Sequence, residues 1–256
     1  MFKISVEQAD IEKLPLGAFP GEIKVISKPG FEYERAVFYL RRQKVLGFDT
    51  ESRPVFSPGQ HNHGVALLQL SGPNRAYLFR VNELGMRRSL CSVLADKRII
   101  KVGAAVFDDL RGLQKLGEFE PAGFVDLQKI AWEWGIRDKS VKKLAANILG
   151  CRISKAQQLS NWEAPELTVS QCNYAATDAW VCREMYLKLI ECEKHPLSPD
   201  ELLPPQDQIA HQAAVERKEA NIAAEKARAG TSKRKHRRRK KKPAEDGKDN
   251  TEKGQG

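Results

Sequence analysis

Long apolar runs are missing from this 256-residue chain: none approaches the ~18 residues that a membrane-crossing helix needs, so no span is expected. The opening, MFKISVEQADIEKL, lacks a basic stretch leading into an apolar one, which argues against a secretion signal. Cysteine is scarce. The five present (Cys91, Cys151, Cys172, Cys182 and Cys192) are odd in number and none forms CxxC. That excludes a disulfide framework and a thiolate zinc site, and fits reduced thiols in the cytoplasm. No internal repeat is present. A general excess of positive charge is also missing. The net charge is +10, but nine Lys/Arg sit in the run 233–242, KRKHRRRKKK, which leaves about +1 for the rest. A domain without bulk charge must hold an anionic partner by local patches or bound cations.

What is present is a set of acids in structured segments. VLGFDTE reads as a buried strand, so Asp49 and Glu51 (i, i+2) point to one face. TVSQCNYAATDAWVCREMYLKL reads as a helix, so Tyr174 and Asp178 (i, i+4) share a face. Asp109 follows the apolar segment KVGAAVF at the start of an amphipathic run. Two same-face carboxylates on an apolar strand carry a desolvation cost that a cation must offset, and no lysine or arginine lies within that strand. Oxygen-only ligands suit Mg²⁺ or Mn²⁺.

The remaining pattern predicts a strand at EIKVIS, a helix over FEYERAVFYLRRQ, and successive strands at VLGFDTE, GVALLQL and RAYLFRV. A helix near 85–95, a strand at IIKVGAA and helices over FDDLRGLQKL, DLQKIAWEW and VKKLAANIL follow. Asp126 and Ser140 are expected as N-caps, Gly150 as a C-cap, and 152–166 as a polar connection. The length allows one domain with a tail. The expected class is α/β, a mixed sheet flanked by helices. The expected division is an N-terminal extension over 1–20, a domain over 21–196, and over 197–256 a linker, a partly helical segment and a disordered basic tail.

DTE, VFDDL and YAATD occur in that order, with GVALLQL after the first, and SVKKLAANILG and then LSNW before the last. Together they resemble the DEDD 3′–5′ exonucleases of the tyrosine-containing subgroup, the family of ribonuclease D and Werner-type exonuclease domains. The resemblance runs from about Gly21 to about Glu193. It implies a ribonuclease H-like fold and release of nucleoside 5′-monophosphates from the 3′ end of DNA or RNA by two divalent cations, Mg²⁺ or Mn²⁺. Asp49, Glu51 and Asp178 would hold the cation that activates water. Asp49 would bridge to a second one, positioned by Asp109, and Tyr174 would orient the water. Asp109 takes the second-motif position because it directly precedes Leu110, with Asp108 an exposed neighbour.

Arg53, Lys155 and Trp162 are candidate substrate contacts. Arg53 with Pro54 would shape the terminal-nucleotide pocket or simply form a rigid turn. Lys155 and Trp162 would touch phosphate and base or pack their loop. His61 and His63 form HxH without a third ligand in sequence and are expected as loop residues. The basic run would bind nucleic acid or an acidic partner, or act as a nuclear address in a nucleated cell. The alternative function is a non-catalytic nucleic-acid-binding protein on an exonuclease fold. Retention of all four carboxylates and the tyrosine favours the enzyme.

Overall fold

In a computed structural model of the chain, residues 1–54, 64–203 and 217–218 are described. In chain order the elements are α1 (Gln8–Glu12), β1 (Glu22–Ile26), α2 (Phe31–Arg41), β2 (Val45–Ser52), β3 (Val65–Ser71), β4 (Arg75–Phe79), α3 (Val81–Leu84) and α4 (Arg88–Leu94). Then come β5 (Ile100–Gly103), α5 (Val106–Gln114), β6 (Phe124–Asp126), α6 (Leu127–Ile130), a 3₁₀ turn (Ala131–Trp134), α7 (Val141–Leu149) and α8 (Val169–Ile190). All of these lie in one compact unit, Met1–Ser198. The second unit, Pro199–Gly256, shows the helical turn α9 (Pro199–Leu202) and, at 217–218, two further helical residues among those described. Among the described residues no helix is long and apolar enough to cross a membrane.

The expected mixed α/β architecture is present. Six strands form one sheet in the order β1-β4-β3-β2-β5-β6. β3 runs antiparallel to both neighbours, and the other adjacent pairs are parallel. β2 is central, between β3 and β5. Its side chains alternate: Leu46 and Phe48 are fully buried in the core formed with α2, α4 and α5. Gly47, Asp49 and Glu51 take the opposite face, towards α8. Both faces of the sheet are therefore covered, which explains the near-continuous burial of β3.

Several boundaries differ from the expectation. The helix expected near 85–95 is α4, while the short α3 before it, which starts at the Val81 expected in a strand and ends at Gly85 with a left-handed φ of 69°, was not anticipated. DLQKIAWEW is one α turn continued as 3₁₀, and ends at Gly135 with φ 79°. β6 was not anticipated, because three residues are too few to show a period. The caps behave as expected. Asp126 accepts from the Gln128 N–H, Ser140 from the Lys143 N–H, and Gly150 closes α7 in the left-handed region. The segments 55–63 and 204–216, with His61 and His63, and all of 219–256, including the basic run, lie outside the described residues.

The contact that organises the sheet is the crossing of α8 over β2. A Cβ built on Gly47 would stand 1.8 Å from the Ala179 carbonyl oxygen and 2.5 Å from its carbon. Only a residue without a side chain lets the helix backbone press on the strand this closely. α8 in turn is anchored at its start by a capping box. The Thr168 side chain accepts from the Gln171 N–H and the Gln171 side chain accepts from the Thr168 N–H.

Gly47→Ala is expected to push α8 off β2. Overpacking of this kind costs about 2 kcal/mol or more, a fall in Tm of at least roughly 5 °C for a domain of this size. Thermal unfolding by circular dichroism checks it. An unchanged Tm would mean that the strand and helix can separate freely at this point.

Candidate active site

The alternation of β2 and the 3.6-residue turn of α8 bring three carboxylates together. Asp49, Glu51 and Asp178 each offer an oxygen, and these oxygens lie within 4.8 Å of one another. The register of β2 against β3 shifts between Glu51 and Ser52, a bulge that ends regular pairing just where the acids emerge. On α8, Tyr174 sits one turn before Asp178, with its hydroxyl close to the Asp178 carboxylate.

Asp109 approaches from a different element. It stands in the first turn of α5, and the Thr50 hydroxyl donates to its carboxylate at 2.6 Å. Asp108 points away, exposed, and pairs with Arg111 at 3.3 Å. The start of α5 is itself held. Ala105, its N-cap, has φ 59°, and is the one non-glycine residue with positive φ among those described. Its N–H donates to the buried Asp126 carboxylate at 3.1 Å. Asp126 thus caps α6 and also holds Ala105, the residue from which α5 and Asp109 start.

The electrostatics follow from crowding like charges in a desolvated place. Burial pushes Glu51 up to about 8, with Asp178 and Asp109 adding to the rise. Asp178 is raised to about 7 by burial, against the pull of the Tyr174 hydrogen bond and the Lys155 charge. Asp109 is raised to about 6 by burial, opposed by the Thr50 hydroxyl. Asp49, nearest the centre, is raised well above the usual carboxylate range by burial and then by Asp178, Glu51 and Asp109. Burial and the same acids also raise Tyr174, so its phenol cannot serve as a base near neutral pH. A group of acids that resists ionisation on its own is one that a cation would relieve. The all-oxygen donor set fits a hard divalent ion.

The candidate substrate contacts divide. Trp162 is fully buried, with its ring 5.9 Å from that of Tyr174. It has no surface on which a base could stack, which corrects the expectation of a substrate contact: it packs its loop and backs the tyrosine. Arg53 pairs with Glu163 at 3.5 Å and ties the end of β2 to that loop. Lys155 is exposed and close enough to Asp178 to act on its charge.

Three supporting residues were not anticipated. Thr50 is one. Arg80, 3% exposed, donates to the carbonyls of Ala164 and Pro165, each at 2.5 Å, and so clamps the loop that leads into α8. Gln69 lies opposite Asp49 in the β2–β3 register, and neither polar atom of its buried side chain has a partner among the described residues. Sequence offers one weak signal for the last two: each is a polar residue in or at the end of an apolar strand run.

The profile of the 3′-5′ exonuclease family matches residues 25–191. The chain is 31% identical over 202 residues to the bifunctional 3′-5′ exonuclease/ATP-dependent helicase WRN of Mus musculus, a match over 73% of this chain and 14% of that protein. It is 33% identical over 213 residues to exonuclease 3′-5′ domain-containing protein 2 of Mus musculus, over 77% of this chain and 32% of that protein. It thus spans about a third or less of these two relatives. Among solved structures it resembles the Trypanosoma brucei RNase D complex with RNA U12, with a TM-score of 0.58 and 20% identity over 68% of this chain and 64% of that one. The fold is therefore one found in RNase D. With the family match spanning the acids on β2, α5 and α8, the chain belongs to the 3′-5′ exonuclease family.

Proposed function

We propose that this chain is an active, metal-dependent 3′–5′ exonuclease that hydrolyses the terminal phosphodiester of a nucleic acid and releases a nucleoside 5′-monophosphate. The observation that carries this reading is convergence. Asp49, Glu51 and Asp178 come within one ligand sphere, while Asp109 and Tyr174 border it from α5 and α8. A non-catalytic binding protein has no need to keep four acids crowded where none ionises readily. An RNA complex of a protein of the same fold supports nucleic acid as the substrate class.

In this reading Asp49, Glu51, Asp178 and Asp109 would hold two divalent cations, Mg²⁺ or Mn²⁺, which would supply charge relief on the phosphate and an activated water. Thr50 fixes the Asp109 carboxylate so that it does not swing out to solvent. Tyr174 keeps its proton and donates through its hydroxyl, which suits it to orient a water and not to deprotonate one. Lys155 offers a cation near Asp178 for a phosphate oxygen. Arg53, engaged with Glu163, shapes the edge of the site. The basic run 233–242 would add affinity for longer substrates by phosphate neutralisation, or else bind an acidic partner or, in a nucleated cell, give a nuclear address to a cytoplasmic protein.

Substitution should separate these roles. Asp49→Ala and Asp109→Asn are expected to lower nucleotide release at least about a hundredfold, and Asp108→Asn to change it about twofold or less. Tyr174→Phe keeps the packing on Trp162 and should cost roughly tenfold to a hundredfold in kcat. The assay is mononucleotide release from end-labelled RNA and DNA. Full activity in Asp49→Ala would end the metal mechanism, and a reversal of the Asp108 and Asp109 results would move the ligand by one residue.

Stability should respond to pH and metal together. Glu51, Asp178 and Asp109 have folded values of about 8, 7 and 6, above the ordinary carboxylate range. The unfolded chain gives up these protons first. The stabilisation is therefore complete below about pH 4, falls as the pH rises above that, and is fully lost once the pH has passed through the folded values, by about pH 8. In chelator, Tm should fall over that interval. Mg²⁺ or Mn²⁺ at about 100 times its Kd should raise Tm by roughly 5–10 °C at pH 8 and hardly at all at pH 5. Equal metal effects at both pH values would show that the cation binds elsewhere.

Removal of residues 206–256 should leave hydrolysis of short substrates intact while weakening binding of long ones, and the loss should be greater at low salt. Identical salt slopes for the full and shortened chains would exclude the basic run as a substrate contact.

A further inference from the structure

The first twenty residues precede the family match, which begins at residue 25, yet they are laid along the catalytic unit at fixed points. The Lys3 N–H donates to the Asn147 side chain, and the Asn147 amide donates to the Lys3 carbonyl. The Ser5 hydroxyl and the Val6 N–H donate to Asp138. Ile11 is buried against α7 with Ala146. The chain then runs beside Arg152. The Arg152 N–H donates to the Pro15 carbonyl at 2.9 Å, the Gly17 N–H donates to the Arg152 carbonyl at 2.8 Å, and the Arg152 Nε donates to the Leu14 carbonyl at 3.1 Å. Finally Phe19 buries its ring, and its N–H donates to the Thr177 hydroxyl at 3.0 Å.

Between these anchors, Leu16 and Ala18 form part of the wall of a cavity of about 410 Å³ that opens onto Tyr174 and Asp178. The size is that of a small-ligand site. Its chemistry is mixed in a particular way. Leu16 is 54% exposed and Val169, from the first turn of α8, is 77% exposed, so two apolar side chains are held in solvent beside a carboxylate centre. Asn173, exposed and one residue before Tyr174, adds a side-chain amide to the same wall. Lys155 adjoins Ser154 of the same wall and acts on Asp178. Apolar surface for a base, an amide for a sugar hydroxyl or base edge, and a cation for a phosphate describe a nucleotide.

We propose that this cavity holds a nucleotide of the strand being cut, the one adjoining the scissile phosphate, and that the N-terminal strap, through Leu16, is a substrate-positioning element. This rests on the exonuclease reading, since it takes Asp178 as the reacting end. The strap brings no acid or base to the chemistry. It sets how the strand enters.

The test uses Leu16→Ser and Val169→Ser in the full chain. Both side chains are exposed, so Tm should stay within about 2 °C of wild type. On single-stranded RNA and DNA of one sequence, KM should rise about tenfold, as for the loss of one apolar contact, while kcat falls less than about threefold. Leu16→Met should restore KM. A larger KM effect on RNA than on DNA would place a 2′-hydroxyl in the cavity, whereas equal effects would assign it base and phosphate alone. Binding is measured in parallel by fluorescence anisotropy with Ca²⁺, independently of cleavage. Cleavage by wild type with unchanged KM and binding in both serine variants would overturn the proposal and leave the exonuclease standing. Binding by wild type without cleavage, weakened about tenfold in the variants, would keep the cavity and remove the exonuclease. If wild type neither bound nor cut, both would fall.

Discussion

The approach of α8 to β2 at Gly47 is the constraint on which the site depends. Asp49 lies two residues beyond Gly47 on the same strand face, and Asp178 is the neighbour of Ala179, whose carbonyl faces that glycine. One missing side chain therefore sets the separation of two acids on different elements. Residues around the crossing serve the same end. The capping box fixes where α8 begins, and Arg80 and Arg53 hold the loop that feeds it. Trp162 fills the space behind Tyr174.

The acids themselves work against the fold. Each is desolvated and each raises its neighbours, so the metal-free site stores unfavourable charge that the surrounding core must outweigh. The left-handed Ala105, tied to Asp126, adds a second local cost and aims α5. Such costs concentrate where position matters more than stability.

Much of this was legible in the chain because it depends on period. The alternation of VLGFDTE placed Asp49 and Glu51 on one face, and the i, i+4 spacing paired Tyr174 with Asp178. The Ser140, Asp126 and Gly150 caps are local chemistry and were read from single residues. What stayed hidden was set by distance. The five-residue α1 has too few residues to show a stripe, and it is placed by partners such as Lys142 on Gln8 and Ala146 against Ile11, more than a hundred residues away. Gln69 looks like an interruption of an apolar strand until the register sets it opposite Asp49. Trp162 reads equally as a stacking aromatic or a packing one, and only the fold shows it fully buried. Thr50 sits between two motif acids, but its service to Asp109 requires α5 to fold back onto β2.

The strap has a consequence for how such a protein can change over generations. Its anchors are largely backbone groups and remote side chains, and the side chains it sets beside the acids, Leu16 and Ala18, are far in sequence from every motif position. Substitutions there leave the carboxylates, their spacing and the α8 crossing untouched. The segment that meets an incoming strand and the segments that would cleave it are therefore free to drift at different rates, and a lineage could exchange one diet of nucleic acid for another while inheriting its chemistry intact.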